Sequence, residues 1–180
     1  LAPERLTEDE LEILVSRIAL YPDELIALVV ASSLFPLQIV EGQRYLDEVK
    51  AKPELKPKST WDSSVVSLLN YPQIVKMMSD DLDWTQALAE AITNQQKEVL
   101  QTIQDLRAQA VADGIIKSDE KVTVVQEKET IVIQPASKEV IYVPQYEPEM
   151  LYVESYPPAP ISYWPDPYPY WYDPVAPYFP

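Results

Sequence analysis

The distribution of proline constrains the fold of this chain more than any other feature of the sequence. Eighteen of the 180 residues are proline, and eleven of them fall within residues 144–180. Proline has no backbone N–H and a fixed φ, so it starts helices well but does not continue them. The sequence therefore predicts helices of limited length in the first two thirds of the chain. Its last part should be extended, with polyproline segments.

The residue types that are missing exclude several classes of site. The chain contains no Cys and no His, and its only glycines are Gly42 and Gly114. Disulfides, thiol catalysis, Ser-His-Asp triads and histidine-ligated metals therefore cannot form within this chain. A glycine-rich loop that cradles phosphate is excluded as well. We expect a protein that is not an enzyme and that has no cofactor and no metal.

The charge of the chain limits its partners. There are 29 acidic residues against 14 basic ones, which gives a formal net charge of −15. Such an excess disfavours binding to nucleic acid and to anionic lipid. The longest apolar run covers residues 25–31, whereas a bilayer-spanning helix needs about 20 residues. We expect no nucleic-acid partner and no transmembrane segment in this chain.

Helix signals cover residues 1–118, which we predict to form a mainly helical domain. Thr7 and Glu10 have the spacing of a capping box, and Asp62 is a candidate N-cap. Helices are expected over residues 8–18, 22–34, 36–49, 62–69 and from 71 onward. We expect Trp61 and Trp84 to fill the helical core rather than to bind a ligand.

A longer periodic apolar pattern covers residues 83–112. It predicts one helix about 43 Å long, which ends before Gly114. A helix of this length exceeds what the short helices can cover. We therefore expect part of it to project from the domain or to contact a partner.

Three short runs rich in β-branched residues predict a small antiparallel sheet. The runs are residues 122–125, 130–133 and 140–143, and residues 126–129 are expected to connect the first two. Such short strands are marginal alone, so we expect a helix beneath them. The predicted fold class is α+β, with a helical domain (1–118), a three-stranded meander (119–143) and an extended arm (144–180).

Residues 144–180, which we call the aromatic arm, hold eleven of the eighteen aromatic residues, five carboxylates and no basic residue. Disordered tails are usually poor in aromatics, and tyrosine is well suited to binding surfaces. The arm therefore binds another surface or lies as a ribbon on its own domain; the remaining alternative is a linker without such a role. The predicted partner-binding residues are Tyr156, Tyr163, Trp164, Tyr168, Tyr170, Trp171, Tyr172, Tyr178 and Phe179.

Two groups of carboxylates were weighed as sites. Asp80, Asp81 and Asp83 form the densest acidic cluster, but they lack the regular ligand spacing and the glycine of a calcium loop. A helix cap is the preferred interpretation. Glu127 and Glu129 could form a glycosidase pair, yet they lie at a predicted hairpin tip, where solvent would keep both ionised.

Several short blocks of the sequence, taken in order, resemble a known family. They are Ile18-Ala19-Leu20-Tyr21-Pro22-Asp23, Ala31-Ser32, Pro36-Leu37, Val40-Glu41, Trp61-Asp62-Ser63-Ser64-Val65, Met77-Met78, Leu82-Asp83-Trp84-Thr85, Leu106-Arg107-Ala108-Gln109-Ala110 and Val140-Ile141-Tyr142-Val143-Pro144-Gln145-Tyr146. Over about residues 7–153 the chain resembles the bacterial family called domain of unknown function 3300, whose members are associated with the cell envelope. The rest of the aromatic arm is expected to lie outside this likeness.

The resemblance implies a location rather than a chemistry. It implies an exported protein of the periplasm or the extracellular envelope, and it transfers no catalytic residue because the family has no established activity. The chain begins with Leu rather than Met, which fits removal of an N-terminal signal but also tag removal or a trimmed chain.

We therefore expect a non-enzymatic envelope subunit that joins a larger assembly, or copies of itself, through the aromatic arm and the long helix. The alternative is a module that binds cell-wall glycan or peptidoglycan through exposed Tyr and Trp. A carboxylate-dependent hydrolase is less favoured, because it requires a concave pocket with two facing carboxylates.

Overall fold

Seven helices and six short strands make up the part of the chain that the structure describes. The structure is a computed structural model that describes residues 4–165 and 168–169. The helices are α1 (Glu8–Val15), α2 (Asp23–Ser33), α3 (Pro36–Val49), α4 (Ser63–Leu68), α5 (Pro72–Asp80), α6 (Leu82–Asn94) and α7 (Gln96–Ala112). The strands are β1 (Val122–Glu127), β2 (Thr130–Pro135), β3 (Val140–Ile141), β4 (Pro144–Gln145), β5 (Ser162–Tyr163) and β6 (Tyr168–Pro169), and a 3₁₀ helix covers Pro148–Leu151. The α+β class is confirmed.

The described residues form two compact units. The first unit comprises the residues up to Ile26 together with those from Glu90 onward, and the second unit runs from Ala27 to Ala89. These units follow the contacts between residues. The three-part division into 1–118, 119–143 and 144–180 followed composition instead, and it stays a prediction.

Capping side chains and prolines start the helices where the sequence predicts. The Thr7 side chain accepts a hydrogen bond from Glu10 N, and the Glu10 side chain accepts one from Thr7 N, which completes the capping box. Asp62 caps α4 by accepting a hydrogen bond from the backbone two residues on. Pro36 and Pro72 are the first residues of their helices.

The predicted single helix over residues 83–112 is wrong. The structure has two helices, α6 and α7, and the break falls at Gln95, whose φ of −138° and ψ of 36° are not helical. The buried Gln95 carboxamide accepts a hydrogen bond from Leu6 N at 2.8 Å and donates one to Leu6 O at 3.0 Å. This pairing with a distant backbone stabilises the break. The prediction of a single long helix that projects from the domain is therefore wrong as well.

The predicted three-stranded meander is wrong in its third strand. Among the residues that the structure describes, strands β1 and β2 pair only with each other, whereas β3 pairs with β6 and β4 pairs with β5. The outer edge of β2 is already occupied, because Gln104 on α7 bonds both the N–H and the C=O of Ile131. The connection from β1 to β2 is also shorter than predicted: it consists of Lys128 and Glu129, and Lys128 adopts a φ of +57°.

Each unit buries its own apolar side chains. In the first unit, α1 and β2 both pack on α7, with the buried side chains Leu11, Leu14, Val15, Val99, Ile103, Leu106, Ile131 and Ile133. In the second unit, α3, α4 and α5 pack together. Trp61 and Trp84 are only 8% and 6% exposed, so their prediction as core residues is confirmed.

Within the described residues, no single helix is both long and apolar enough to cross a membrane. Taken together, α2 and α3 have the length and the apolar composition of a membrane span, but the two helices are bent by 111° at the break between them.

Candidate functional site

The first part of the aromatic arm is held against the first unit by backbone hydrogen bonds. Strand β5 of the arm pairs antiparallel with β4. On either side of β5, Ile161 N donates to Ile115 O at 3.1 Å and Trp164 N donates to Val143 O at 2.9 Å. This part of the arm therefore lies as a ribbon on its own unit, which is one of the arrangements that the sequence left open.

Two tyrosine rings and a lysine lie beside this ribbon, and we call Lys121, Tyr142 and Tyr163 the aromatic patch. The two rings meet edge to face, with centroids 6.3 Å apart and an interplanar angle of 74°. The Lys121 Nζ atom lies 5.4 Å from the Tyr142 centroid and 5.2 Å from the Tyr163 centroid. These are favourable geometries for an aromatic pair and for a cation over a ring, so the patch has a defined arrangement.

The aromatic patch keeps hydrogen-bonding capacity at the surface. All three residues are half-buried. Desolvation, with a smaller contribution from the Asp119 carboxylate, raises the pKa of Tyr163 above its ordinary value of 10, so its hydroxyl stays protonated at neutral pH. Neither tyrosine hydroxyl bonds to another residue in the described part of the chain. The patch can therefore donate hydrogen bonds to a ligand.

Residues 153–160 form a loop whose residues are all exposed. The loop leaves the 3₁₀ helix, whose Leu151 is buried, and it ends at Ile161, which is bonded to the first unit. Tyr156, within the loop, is 37% exposed. Both ends of the loop are thus fixed while its side chains face solvent.

Four of the nine predicted partner-binding residues lie within the described part of the chain, and five lie outside it. Tyr156 is exposed, and Tyr163 and Trp164 are half-buried on the ribbon. Tyr168 lies in β6, whose backbone pairs with Ile141. The other five fall outside the described residues; they are Tyr170, Trp171, Tyr172, Tyr178 and Phe179. Partner binding by these residues stays a prediction.

A buried arginine is the main feature that the sequence interpretation missed. Arg107 on α7 is 1% exposed. Its Nε atom donates to Ala19 O at 2.8 Å, and its Nη2 atom donates to Tyr21 O at 2.8 Å. Its Nη1 atom donates to Ile131 O at 2.7 Å and to Asp23 Oδ1 at 2.6 Å. Arg107 thus ties α7 to the turn before α2 and to β2.

The role of the Arg107 side chain is to hold the fold together. Burial lowers the pKa of Arg107, while the Asp23 carboxylate raises it, and an arginine side chain stays charged under such conditions. Four of its five N–H groups are used by the protein, which leaves little to bind a substrate. A charged residue on the inner face of a helical pattern, between Leu106 and Ala110, was the signal in the sequence.

Tyr146 extends the same buried network into the base of the aromatic arm. Its hydroxyl donates to Ser16 O at 2.7 Å and accepts a hydrogen bond from Leu20 N at 3.3 Å. Desolvation raises the pKa of Tyr146 well above its ordinary value, and it raises the pKa of Tyr21 to about 12. Three of the blocks that carry the family resemblance therefore meet here: residues 18–23, 106–110 and 140–146.

Side chains also close stretches of both edges of the β1–β2 hairpin. At β2, Gln104 bonds both backbone groups of Ile131, at 2.7 and 3.2 Å. At β1, the Ser118 hydroxyl accepts from Val124 N at 2.8 Å and donates to Val124 O at 3.1 Å. Backbone groups paired in this way are not free to receive a further strand, so a partner strand would have to bind elsewhere.

The two groups of carboxylates considered in the sequence are a helix cap and an exposed pair at a hairpin end. Asp81 accepts a hydrogen bond from Trp84 N at 3.1 Å and so caps α6. Glu127 and Glu129 are exposed at the end of the hairpin. Within the described ranges, no group of three or more His, Cys, Asp or Glu side chains is arranged to hold a metal ion.

Comparison with known proteins identifies the family of this chain. A family model described as "Protein of unknown function (DUF3300)" matches residues 7–179. The match includes most of the aromatic arm, so the expectation that the arm beyond residue 153 lies outside the likeness is wrong.

One curated protein and the solved structures complete the comparison. The chain is 31% identical over 127 residues to the uncharacterized protein YacH of Escherichia coli (strain K12), which covers 67% of this chain and 21% of that protein. The chain thus spans about a fifth of the length of this relative. No solved structure matches. With the family model covering nearly the whole chain, the protein belongs to the DUF3300 family.

Proposed function

We propose that this protein is a non-enzymatic subunit of the bacterial cell envelope that associates with another protein, or with further copies of itself, through the aromatic arm. One observation carries the proposal. The backbone of Tyr163 and Trp164 is fixed by hydrogen bonds to residues 143–145, while part of each side chain stays in contact with solvent.

Fixed aromatic side chains lose little conformational freedom on binding. The strand pairing of β5 has already ordered the backbone at Tyr163, and the Tyr142 ring and Lys121 restrict the Tyr163 ring. Ordering a mobile side chain at an interface costs about 0.5–1.5 kcal/mol. Because these side chains are already ordered in the free protein, binding loses less conformational entropy at this surface.

The charge of the arm indicates the chemistry of the partner surface. The arm contains five carboxylates and no basic residue. Glu154 is exposed within the described loop. A complementary surface therefore carries Lys or Arg around an apolar centre, an arrangement that speeds encounter and fixes orientation.

The aromatic patch favours a protein partner over a glycan. A carboxylate on a protein surface can pair with the Lys121 ammonium group, which lies beside the rings of both Tyr142 and Tyr163, whereas an uncharged sugar ring cannot. Glycan binding stays the alternative prediction. Retention of the protein on purified cell wall, lost in Trp164→Ala, would support the alternative against our proposal.

The envelope location is part of the proposal and rests on the family resemblance alone. Fractionation of the bacterium that makes the protein tests it directly. We expect the protein in the periplasmic or extracellular fraction, and recovery in the cytoplasm alone would contradict this part of the proposal.

The association itself is tested by the native size of the protein in extracts of the producing bacterium. We expect the full chain to migrate in a particle larger than the monomer. The double variant Tyr163→Ala, Trp164→Ala keeps the backbone pairing of β4 with β5 but loses the two fixed rings, so it should migrate as a smaller species. Val125→Ala removes an apolar side chain that is 40% exposed outside the arm and serves as the matched control.

Two results would contradict the proposal. The full chain could migrate as a monomer in the extract, or the double variant Tyr163→Ala, Trp164→Ala could keep the size of the full particle. Circular dichroism and thermal unfolding of the purified proteins show whether the double variant is folded.

A further inference from the structure

Residues 156–160, which we call the prolyl segment, present hydrogen-bond acceptors without backbone donors. Its three prolines have no N–H. The two remaining N–H groups are used within the chain, because Tyr156 N donates to Val153 O at 3.0 Å and Ala159 N donates to Met150 Sδ at 3.2 Å. The backbone surface that a partner meets here consists of carbonyl oxygens and proline rings.

The prolyl segment is also ordered before binding. A residue that precedes proline is driven away from the helical region, and consecutive prolines favour the polyproline II conformation. Residues 157–160 are in neither helix nor strand. Buried Leu151 precedes the segment, and the hydrogen bond of Ile161 to Ile115 follows it, so its ends are fixed.

Surfaces that bind such segments combine aromatic rings with hydrogen-bond donors. The rings pack between the prolines, and the donors bond the free carbonyl oxygens. In this chain the aromatic patch has that chemistry: its rings are half-exposed, and both tyrosine hydroxyls make no bond within the described residues. Every residue of the prolyl segment is itself exposed, so the segment is open to a partner.

The charges next to the two surfaces are complementary. Glu154 precedes the prolyl segment by two residues and is exposed. The aromatic patch contributes the ammonium group of Lys121. A prolyl segment bound on the patch of another molecule brings these opposite charges to the same interface, where they favour one orientation.

We propose that two copies of this chain associate by each placing its prolyl segment on the aromatic patch of the other. The segment and the patch are joined through residues 161–163, so one two-fold axis can form both contacts in a single isologous interface. This inference rests on the proposed function, and it names a second copy of the chain as the partner.

Sedimentation velocity of the purified full chain, over a range of concentrations, tests the proposal. We expect a reversible dimer. Replacing all three prolines of the segment by alanine (P157A, P158A and P160A) restores backbone donors and removes the rings, so it should weaken the dimer by about tenfold or more. Tyr142→Ala should weaken it similarly, and Val125→Ala should leave it unchanged.

A charge exchange makes the test specific for the pairing. Lys121→Glu and Glu154→Lys should each weaken the dimer, because each places like charges opposite one another. The chain carrying both substitutions should dimerise more strongly than either single variant, since the attraction is restored with its sign reversed. A double variant that dimerises no more strongly than the better of the two single variants would overturn the proposed pairing.

The outcomes separate this inference from the proposed function. A purified chain that stays monomeric up to about 100 μM overturns self-association. If the native particle in extracts still depends on the arm, the proposed function stands with a different partner. Dimerisation that survives both the proline and the Tyr142 substitutions overturns the assigned surface.

Discussion

The Nζ atom of Lys121 lies 5.2 Å from the ring centroid of Tyr163. Lys121 directly precedes the hairpin, whereas Tyr163 belongs to the aromatic arm, so the contact holds the arm beside the hairpin. A cation over a partly exposed ring contributes about 0.5–1 kcal/mol. This is too little to attach the arm alone, and the backbone hydrogen bonds from Ile161 to Ile115 and from Trp164 to Val143 contribute further attachment.

Arg107→Met should destabilise the protein by about 1–3 kcal/mol for each buried carbonyl group that loses its donor. These are the carbonyl groups of Ala19 and Tyr21. Asp23 also loses its arginine partner, but its side chain is 44% exposed and still accepts a hydrogen bond from Ile133 N. Urea unfolding measures the change. Arg44→Met, at an exposed arginine, is the matched control and should change stability by less than about 0.5 kcal/mol. Equal effects at the two positions would show that the Arg107 bonds contribute nothing to stability.

Tyr146→Phe should destabilise the protein by about 1–3 kcal/mol. The variant keeps the ring but removes the hydroxyl that bonds both Ser16 O and Leu20 N. Tyr156→Phe removes a hydroxyl from an exposed residue and should have almost no effect. Thermal unfolding of the two variants side by side makes the comparison, and identical midpoints would refute the role assigned to Tyr146.

Lys128→Gly should stabilise the protein by up to about 1 kcal/mol. Lys128 adopts a φ of +57°, which is strained for a residue with a Cβ and free of strain for glycine. Glu129→Gly, at the neighbouring turn position, should not stabilise, because glycine there only adds freedom to the unfolded chain. A loss of stability in Lys128→Gly would contradict the turn geometry.

Alkaline pH should destabilise the protein through Tyr21. Burial raises the pKa of Tyr21 from 10 to about 12, so its contribution is complete below pH 10 and is lost as the pH rises toward 12. The difference corresponds to about 3 kcal/mol. Urea unfolding at about pH 8 and pH 11.5 measures the decline, which should be smaller in Tyr21→Phe than in the unchanged chain. Tyr156→Phe is the control and should decline as the unchanged chain does.

The helix starts could be predicted because their determinants are local. Thr7 and Glu10 bond within one turn, and Asp62 bonds the backbone two residues away. A proline at the start of a helix acts through its own ring and needs no distant partner. Such elements can be identified from a few consecutive residues.

The missed features depend on partners far away in the sequence. The helix break at Gln95 is stabilised by Leu6, 89 positions earlier, and no proline or glycine marks it. The edge of β2 is closed by Gln104, 27 positions before Ile131. β3 pairs with β6 in a proline-rich stretch, where sequence patterns disfavour strands.

Only part of the candidate site could be predicted, because some of its residues are brought together by contacts between distant parts of the sequence. The composition of the aromatic arm indicated its tyrosines and tryptophans as surface residues, and Tyr156, Tyr163 and Trp164 keep surface in solvent. Lys121 and Tyr142 were not foreseen beside them, because only the fold brings residues 121, 142 and 163 together. The buried network of Arg107 and Tyr146 at the base of the arm was missed for the same reason, since its hydrogen-bond partners are distant in the sequence.

The solvent exposure of Trp164 in the native particle tests the central claim most directly. Protein labelled with 5-fluorotryptophan gives a separate fluorine signal for each tryptophan, and exchange of H2O for D2O shifts the signals of exposed rings. Buried Trp61 and Trp84 serve as internal controls, and Trp164→Phe assigns the signal of interest. We expect the Trp164 signal to respond to D2O in the isolated monomer and to lose this response in the particle isolated from cells. An equal response of Trp164 in both states would contradict the claim that another protein surface covers the arm.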